Sequence, residues 1–309
     1  MSIEKIKKCE IIKLEIDRRL YAIQLCRKSH AVAEAPRLVV VGYQPNELSR
    51  KILKICIESI QRFTIVPYEL WVVDNNSPFQ NAQWLLDWPN INVVLNRTEP
   101  RSQLKLHRRL MPWRELSSKQ HSGSYANAAA LEIAAKLIDN ESRYIMTLHM
   151  DTMPATFGWL GFLQGKINDT VRAAGVRMDT ARVEQGVLHV LGCLVDFQLL
   201  TQLKVGFFPD LPRLDVGDRV TVALREAGYQ VYACRNTLWQ PELASNIPGD
   251  SPFRSLNVDR SFDDDDNIIF LHLGRGIVKS EGKKLNGMNP QQWIEFAEDY
   301  LAKSPGKPK

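Results

Sequence analysis

The stretch Arg143–Pro154, RYIMTLHMDTMP, decides how this chain is read. Its first half is apolar enough for a buried strand, yet it ends in a lone carboxylate, Asp151, with His149 two residues before it and Pro154 three after. Side chains two apart on an extended chain point to one face, so His149 and Asp151 are able to reach one ion or one ligand together.

Strands and helices alternate before this stretch. PRLVVVGYQPN (36–46) is a short apolar strand running into a polar turn, and LSRKILKICIESIQRF (48–63) has helical periodicity. YELWVVDNNSPF (68–79) is a second strand, NAQWLLDW (81–88) a helical turn or two, and INVVLNR (91–97) a third strand. This order predicts βαβ units and a mostly parallel, Rossmann-like central sheet with helices on both faces. Ligands of such sheets bind beyond the carboxyl ends of strands. That rule selects Gly42, Tyr43 and Gln44, then Asp74, Asn75, Asn76 and Ser77, then His149 and Asp151. For DNNS a plain Asx turn is the competing account, because Asp and Asn bond their own backbone. Neither GxGxxG nor GxxxxGK[ST] is present, which disfavours a dinucleotide cofactor and a P-loop.

With 309 residues, 44% of them hydrophobic, the chain can bury a core without staples. A net charge of +5 suits anionic partners but is modest for nucleic acid, so phosphate-bearing small molecules are expected and nucleic acid is not. The five cysteines, Cys9, Cys26, Cys56, Cys193 and Cys234, are scattered without CxxC spacing and are expected to be reduced, in a cytoplasmic protein. The opening MSIEKIKKCE does not read as a secretion signal, and no apolar run approaches the ~20 residues that span a bilayer. Membrane contact is expected to be peripheral at most, at the inner face.

Three domains are expected. Residues 1–35 form an amphipathic helical extension, in which Ile6, Ile12, Ile16, Leu20 and Ile23 recur at helical spacing; such a helix packs on the main domain or makes a homodimer. Residues 36–280 form the main domain. Residues 281–309 hold a helix, PQQWIEFAEDYLAK, and a loose tail. Within the main domain, about 97–122 loses periodicity and carries Arg97, Arg101, Lys105, Arg108, Arg109, Arg114 and Lys119. It reads either as a flexible flap that engages a diphosphate or anionic acceptor, or as a solvated insertion. The helix that follows is expected to begin after Gly123 and Ser124, with Asn127 in its first turn facing a phosphate or sugar. DRSFDDDDN (259–267) reads as a solvated acidic loop. His189 is expected to be a strand or core histidine, and Trp159 either an acceptor-stacking residue or a core anchor.

VVVGYQPN, WVVDNNSPF, GSYANAAALEIA, YIMTLHMDTMP, LDVGDRVTVALREAGYQVY and FLHLGRG occur in an order and spacing that resembles the family-two inverting glycosyltransferases of the GT-A fold, from about Arg37 to Gly276. The resemblance implies a hexosyltransferase-like enzyme. It would pass a sugar from a nucleoside-diphosphate donor, linked to UDP, GDP or dTDP, to a hydroxyl of a carbohydrate, lipid-linked or other acceptor, with inversion. Glycan or polysaccharide assembly is the setting it suggests. Tyr43, Asp74, Asn76, Asn127, His149, Asp151 and Arg275 would form the nucleotide-sugar site, with Asp74 on the base. Asp151 would stand last in the family's DxD motif, where a divalent ion bridges to the diphosphate, and His272 would match a histidine that completes the site in some members. This chain reads HMD where the family has its first aspartate. Imidazole beside carboxylate favours Mn²⁺ over Mg²⁺ if His149 is a metal ligand, whereas His149 would bond the ribose if it is not. The attacking hydroxyl needs a carboxylate base. Asp215 and then Asp218 are the candidates, with helix capping the other role for Asp218. A catalytically inactive nucleotide-sugar binding or assembly partner of a glycan-building complex is the alternative reading.

Overall fold

The computed structural model describes residues 8–100, 118–178 and 183–307. Its strands are β1 (Lys8–Ile16), β2 (Arg19–Arg27), β3 (Arg37–Gly42), β4 (Glu69–Asn75), β5 (Asn92–Asn96), β6 (Tyr144–His149), β7 (Thr152–Pro154), β8 (Val171–Arg177), β9 (Leu188–Asp196), β10 (Gln230–Asn236), β11 (Asp259–Phe262) and β12 (Ile268–His272). Its α-helices are α1 (Glu47–Phe63), α2 (Phe79–Ala82), α3 (Ser118–Leu137), α4 (Trp159–Lys166), α5 (Phe197–Leu203), α6 (Asp218–Glu226), α7 (Gly276–Ser280) and α8 (Pro290–Lys303).

The strands make one mixed sheet of order β1-β2-β5-β4-β3-β6-β9-β8-β10-β11-β12-β7. Its centre, β5-β4-β3-β6, is parallel, as the βαβ reading requires. Beyond that centre only β8 and β10 pair in parallel, so the sheet as a whole is not mostly parallel. Among the described residues no helix separates β8 from β9, and a parallel pair requires a long crossover connection.

Both faces of the sheet are covered, and adjacent residues serve opposite faces. Leu38, Val40 and Val72 pack with Ile52, Leu53 and Cys56 of α1 on one side. Val39, Trp71 and Val73 pack with Ala128, Ala129, Ala130 and Ala134 of α3 on the other, where alanine lets the helix lie close to the strands. Helix α1 starts at Asn46, whose side chain accepts from Ser49 N while the Ser49 hydroxyl meets Asn46 N in return, and α8 starts with the same reciprocal arrangement at Asn289 and Gln292. The expected C-terminal helix is therefore α8, which joins the α1 side of the core through Trp293, Ile294 and Ala297.

The N-terminal segment is not the expected helix. Residues 8–27 form a hairpin that pairs with β5 and extends the main sheet. Ile12 and Ile16 lie four apart, a spacing that helix and strand both produce. The deciding features are the period-two set Tyr21, Ile23 and Leu25, all buried against α3, and the turn Asp17-Arg18. Both turn residues have positive φ, 47° and 58°, as a two-residue hairpin turn matched to strand twist demands. Ile11 and Leu20, which alternate to the outer face, stay exposed. Ile6 lies outside the described residues, and among the described residues before Pro36 there is no helix to carry the expected homodimer contact. Among the described residues no helix is long and apolar enough to cross a membrane.

Two further expectations are corrected. Cys9 and Cys26 face each other across the hairpin and form a disulfide, leaving Cys56, Cys193 and Cys234 as buried thiols. Trp159 is no acceptor platform: it is fully buried, donates its indole N–H to Thr64 Oγ1 at 3.1 Å and meets Phe270 edge-on. An aromatic so enclosed at the start of α4 anchors the core. Trp159→Ala is expected to cost about 3–5 kcal/mol of stability, read as a lowered midpoint of urea unfolding.

Candidate functional site

Strand β6 delivers His149 to the carboxyl edge of the sheet. The chain turns through Asp151 into β7, which pairs with β12 so that Thr152 lies opposite His272. This fold-back brings His149, Asp151 and His272 together: each offers a ligand atom, all within 4.8 Å of one another. His149 Nδ1 is 3.9 Å and His272 Nε2 3.4 Å from Asp151 Oδ1.

Asp151 is buried, and burial alone would favour its neutral form. The nearby imidazoles of His272 and His149, with the Gly276 N–H donating to Oδ2 at 2.8 Å, outweigh that and hold its pKa well below the carboxylate range. Only glycine suits position 276, since a Cβ there would lie 2.9 Å from the Asp151 Cβ. His272 is the counterpart. Burial disfavours its charge, but Asp151 and Asp259 outweigh burial and raise its pKa from 6.5 to about 9. Asp259 Oδ2 sits 3.3 Å from His272 Nδ1 and so aims Nε2 at Asp151, the arrangement by which a carboxylate orients a metal-binding imidazole.

The donor set fits a divalent cation. His272 Nε2 is buried and faces Asp151 Oδ1 at 3.4 Å without making a well-formed hydrogen bond, so an ion held by both would complete it. Two imidazole nitrogens and a carboxylate oxygen form a site that accepts transition metals.

Other expected residues distribute unevenly. Asn127 reaches the site, its Nδ2 3.2 Å from His149 Nε2, while its Oδ1 is buried without a partner. It does not lie in a first turn, because α3 already begins at Ser118. Arg275 is exposed at the rim, next to the Gly276 that binds Asp151. Tyr43 is 38% exposed, with its backbone N 3.4 Å from Met150 Sδ, and Asn76 is half-buried in a left-handed turn at φ 66°.

Asp74 is held by its own neighbours. It has no exposed surface, and its oxygens accept from Gln44 Nε2 at 2.9 Å, from Ser77 N at 3.1 Å and from the Ser77 hydroxyl. Burial raises its pKa against these bonds. Gln44 in turn accepts from the Trp84 indole at 2.7 Å. Asp74 thus ties the β3 and β4 turns together, accepting from the backbone of Ser77 three residues on.

Asp215 and Asp218 also separate. Asp218 is fully buried and accepts from Asp215 N at 2.8 Å, which closes the turn at the mouth of α6. Asp215 stays half-exposed. Gly217, at φ 77°, approaches β9 so closely that a Cβ would lie 2.3 Å from Val190 Cγ1. The neighbouring His189 meets His149 edge-on at 5.1 Å between ring centres. Strand β9 therefore links the Asp215 turn to the cluster, and His189 is a strand histidine as expected.

Sequence reasoning missed Asp259, Gly276 and Lys279. Asp259 was read only as the start of an acidic loop; the aspartates from 263 to 266 do lie on an exposed turn, where Asp264 meets Lys166 and Asp266 meets Arg235. Lys279, buried beside Asp151 and Asp259, donates to Leu273 O at 2.8 Å. No local pattern marks these roles, because Asp259 meets the cluster only when β11 pairs with β12, and Gly276 and Lys279 only through α7. Most of the basic insertion (101–117) lies outside the described residues. Arg97, at its start, stacks over Phe79 at 4.7 Å.

No known protein family matches the sequence, and no curated protein matches it. Solved structures do. A mannosyltransferase, PcManGT from Pyrobaculum calidifontis, in complex with GDP-Man and Mn²⁺, is similar at 17% identity over 87% of this chain and 71% of that one, with a TM-score of 0.44. The galactosyltransferase LgtC, in complex with donor and acceptor sugar analogs, is similar at 12% identity over 88% and 98%, TM-score 0.47. A 4-diphosphocytidyl-2C-methyl-D-erythritol synthase from Anaerococcus prevotii is similar at 11% identity over 65% and 86%, TM-score 0.42. Likeness at this level concerns general arrangement and does not distinguish among the chemistries of these three proteins.

The raised pKa of His272 sets a pH dependence. Its folded value exceeds the unfolded one, so its contribution to stability is complete below pH 6.5 and is lost as pH rises through about 9. With EDTA present, the melting temperature should fall across that window, and His272→Asn should flatten the fall. A metal taking Nε2 displaces the proton, so Mn²⁺ should bind more weakly as pH drops below 9.

Proposed function

We propose that this protein is a nucleotide-sugar-dependent glycosyltransferase, which moves a hexose from a nucleoside-diphosphate donor to an acceptor hydroxyl by single displacement with inversion. The observation that carries the reading is the His149–Asp151–His272 cluster. It stands at the strand edge where open α/β sheets bind ligands, with a buried polar atom beside it, Asn127 Oδ1, that makes no hydrogen bond. The resemblance of the six sequence segments supplies the reaction class.

In this reading His149, Asp151 and His272 hold the divalent ion, with Mn²⁺ favoured over Mg²⁺ because two of the three donors are imidazoles. When bound, the ion supplies positive charge against the departing diphosphate. Arg275, exposed beside Gly276, adds a second cation at that rim. Asn127 Oδ1 accepts from the donor, and Tyr43 and Asn76 face the nucleoside. Asp215, the half-exposed member of the acidic pair, takes the proton of the attacking hydroxyl; Asp218 keeps the turn that presents it. The acceptor is a carbohydrate or lipid-linked sugar.

Purified protein incubated with UDP-, GDP- and dTDP-hexoses, under EDTA, Mg²⁺, Mn²⁺ or Fe²⁺, should release nucleoside diphosphate from one donor class only when metal is present. Fe²⁺ belongs in the panel because a two-histidine, one-carboxylate set also serves iron. Asp151→Asn should abolish metal dependence and turnover together. Asp215→Asn should lower turnover by about 10²–10⁴-fold while thermal shift by donor and metal persists. Failure of every nucleotide to bind, with every metal, would leave the enzyme reading without support.

A further inference from the structure

The sheet edge that carries the cluster continues past it, and an aromatic platform stands there. β9 is antiparallel to both β6 and β8, and β8 is parallel to β10, so β6, β8 and β10 all end on one edge: at His149, Arg177 and Asn236. Trp239 follows three residues after β10 and is 41% exposed. The Arg177 guanidinium lies over its ring at 3.7 Å from the centroid. Buried Asn236 pins the pair: its Oδ1 accepts from Trp239 N at 2.9 Å, and its Nδ2 donates to Arg177 O and to Cys234 O, both at 3.1 Å. A large aromatic is thus held in fixed position with much of its surface in water.

Two structural links tie this pair to the cluster. On one flank Arg177 is in register with Leu188, whose neighbour His189 meets His149. On the other, Thr237 and Arg260 exchange hydrogen bonds, Thr237 N to Arg260 O and Arg260 N to Thr237 Oγ1, each 2.9 Å. Asp259, next to Arg260, orients His272. With strands spaced about 4.8 Å apart, the end of β8 lies two strands, roughly 10 Å, from the end of β6, and the end of β10 one strand further. That is the reach of one or two sugar rings. The nucleoside end, at Tyr43 and Asn76, lies on the opposite side of β6.

From this geometry we infer that Arg177 and Trp239 form the wall on which a saccharide ring of the acceptor stacks, a role the buried Trp159 cannot fill. The C–H face of a pyranose is flat and weakly positive and packs on the electron-rich face of an indole. The Arg177 guanidinium, stacked on one side of that indole, holds the ring in place. The inference rests on the transferase reading for the word acceptor, and on the Arg177–Trp239 geometry for saccharide binding.

The indole N–H resonances of ¹⁵N-labelled protein test it. The chain has seven tryptophans, and the signal lost in Trp239→Phe identifies Trp239. Methyl glycosides of glucose, galactose, mannose and N-acetylglucosamine, and the corresponding β-linked disaccharides, are titrated with and without Mn²⁺ plus UDP or GDP. At least one saccharide is expected to move the Trp239 signal saturably, and Trp239→Ala and Arg177→Ala are each expected to weaken that saccharide's binding at least tenfold. If no saccharide moves it, or if UDP or GDP alone does, the inference is overturned. The nucleotides report separately on the transferase reading. Saccharide binding at Trp239 without nucleotide binding anywhere keeps the stacking wall and removes the transferase; the reverse removes the wall and keeps the transferase.

Discussion

The buried carboxylate of Asp151 is the constraint around which the rest of the site is arranged. A carboxylate taken out of water is costly unless opposite charge and donors surround it. Here His272 and His149 supply the charge, Gly276 the N–H, and Asp259 stands behind His272. Each partner arrives from a different part of the chain, so satisfying Asp151 requires β6, β7, β12 and the start of α7 to meet. The fold-back of β7 onto β12 is the form that requirement takes, and Leu273 N bonded to Asp151 O at 3.0 Å continues it.

The same arrangement sets what the site can do. Two imidazoles and a carboxylate that compensate one another without an ion are also the donors of a divalent-metal site, so proton and metal compete for His272. Charge is thus held at the sheet edge in either state. On both sides of that centre an arginine stacks on an aromatic ring: Arg97 on Phe79 beyond β5 and β4, Arg177 on Trp239 beyond β8 and β10. The edge therefore has a charged middle and two flat ends, an order that suits a ligand pair whose phosphates lie between a base and a sugar.

Sequence and structure agree wherever a signal was local. The strands from Arg37 to Asn96, helix α1 and helix α8 follow from periodicity and caps that lie within one element. The N-terminal hairpin was misread because Ile12 and Ile16 satisfy both periods, and the turn at Asp17-Arg18 carries no glycine to announce positive φ. Residue type offers Trp159 equally as an acceptor platform and as a core anchor, and its burial, which depends on Thr64 and Phe270 arriving from elsewhere, selects the anchor.

By itself the sequence determined the central βαβ order and the edge at which the strand-end polar residues gather, together with His149 and Asp151 as a pair. All of these depend on side-chain alternation and on the direction of single strands, which short stretches encode. Tertiary structure alone decided that Asp259 and Gly276 serve Asp151 and His272, that Asp218 closes a turn while Asp215 stays half-exposed, and that Trp239 rather than Trp159 faces the solvent. These depend on burial and on contacts between distant segments, which arise only when β6, β9, β10 and β12 are brought to one edge.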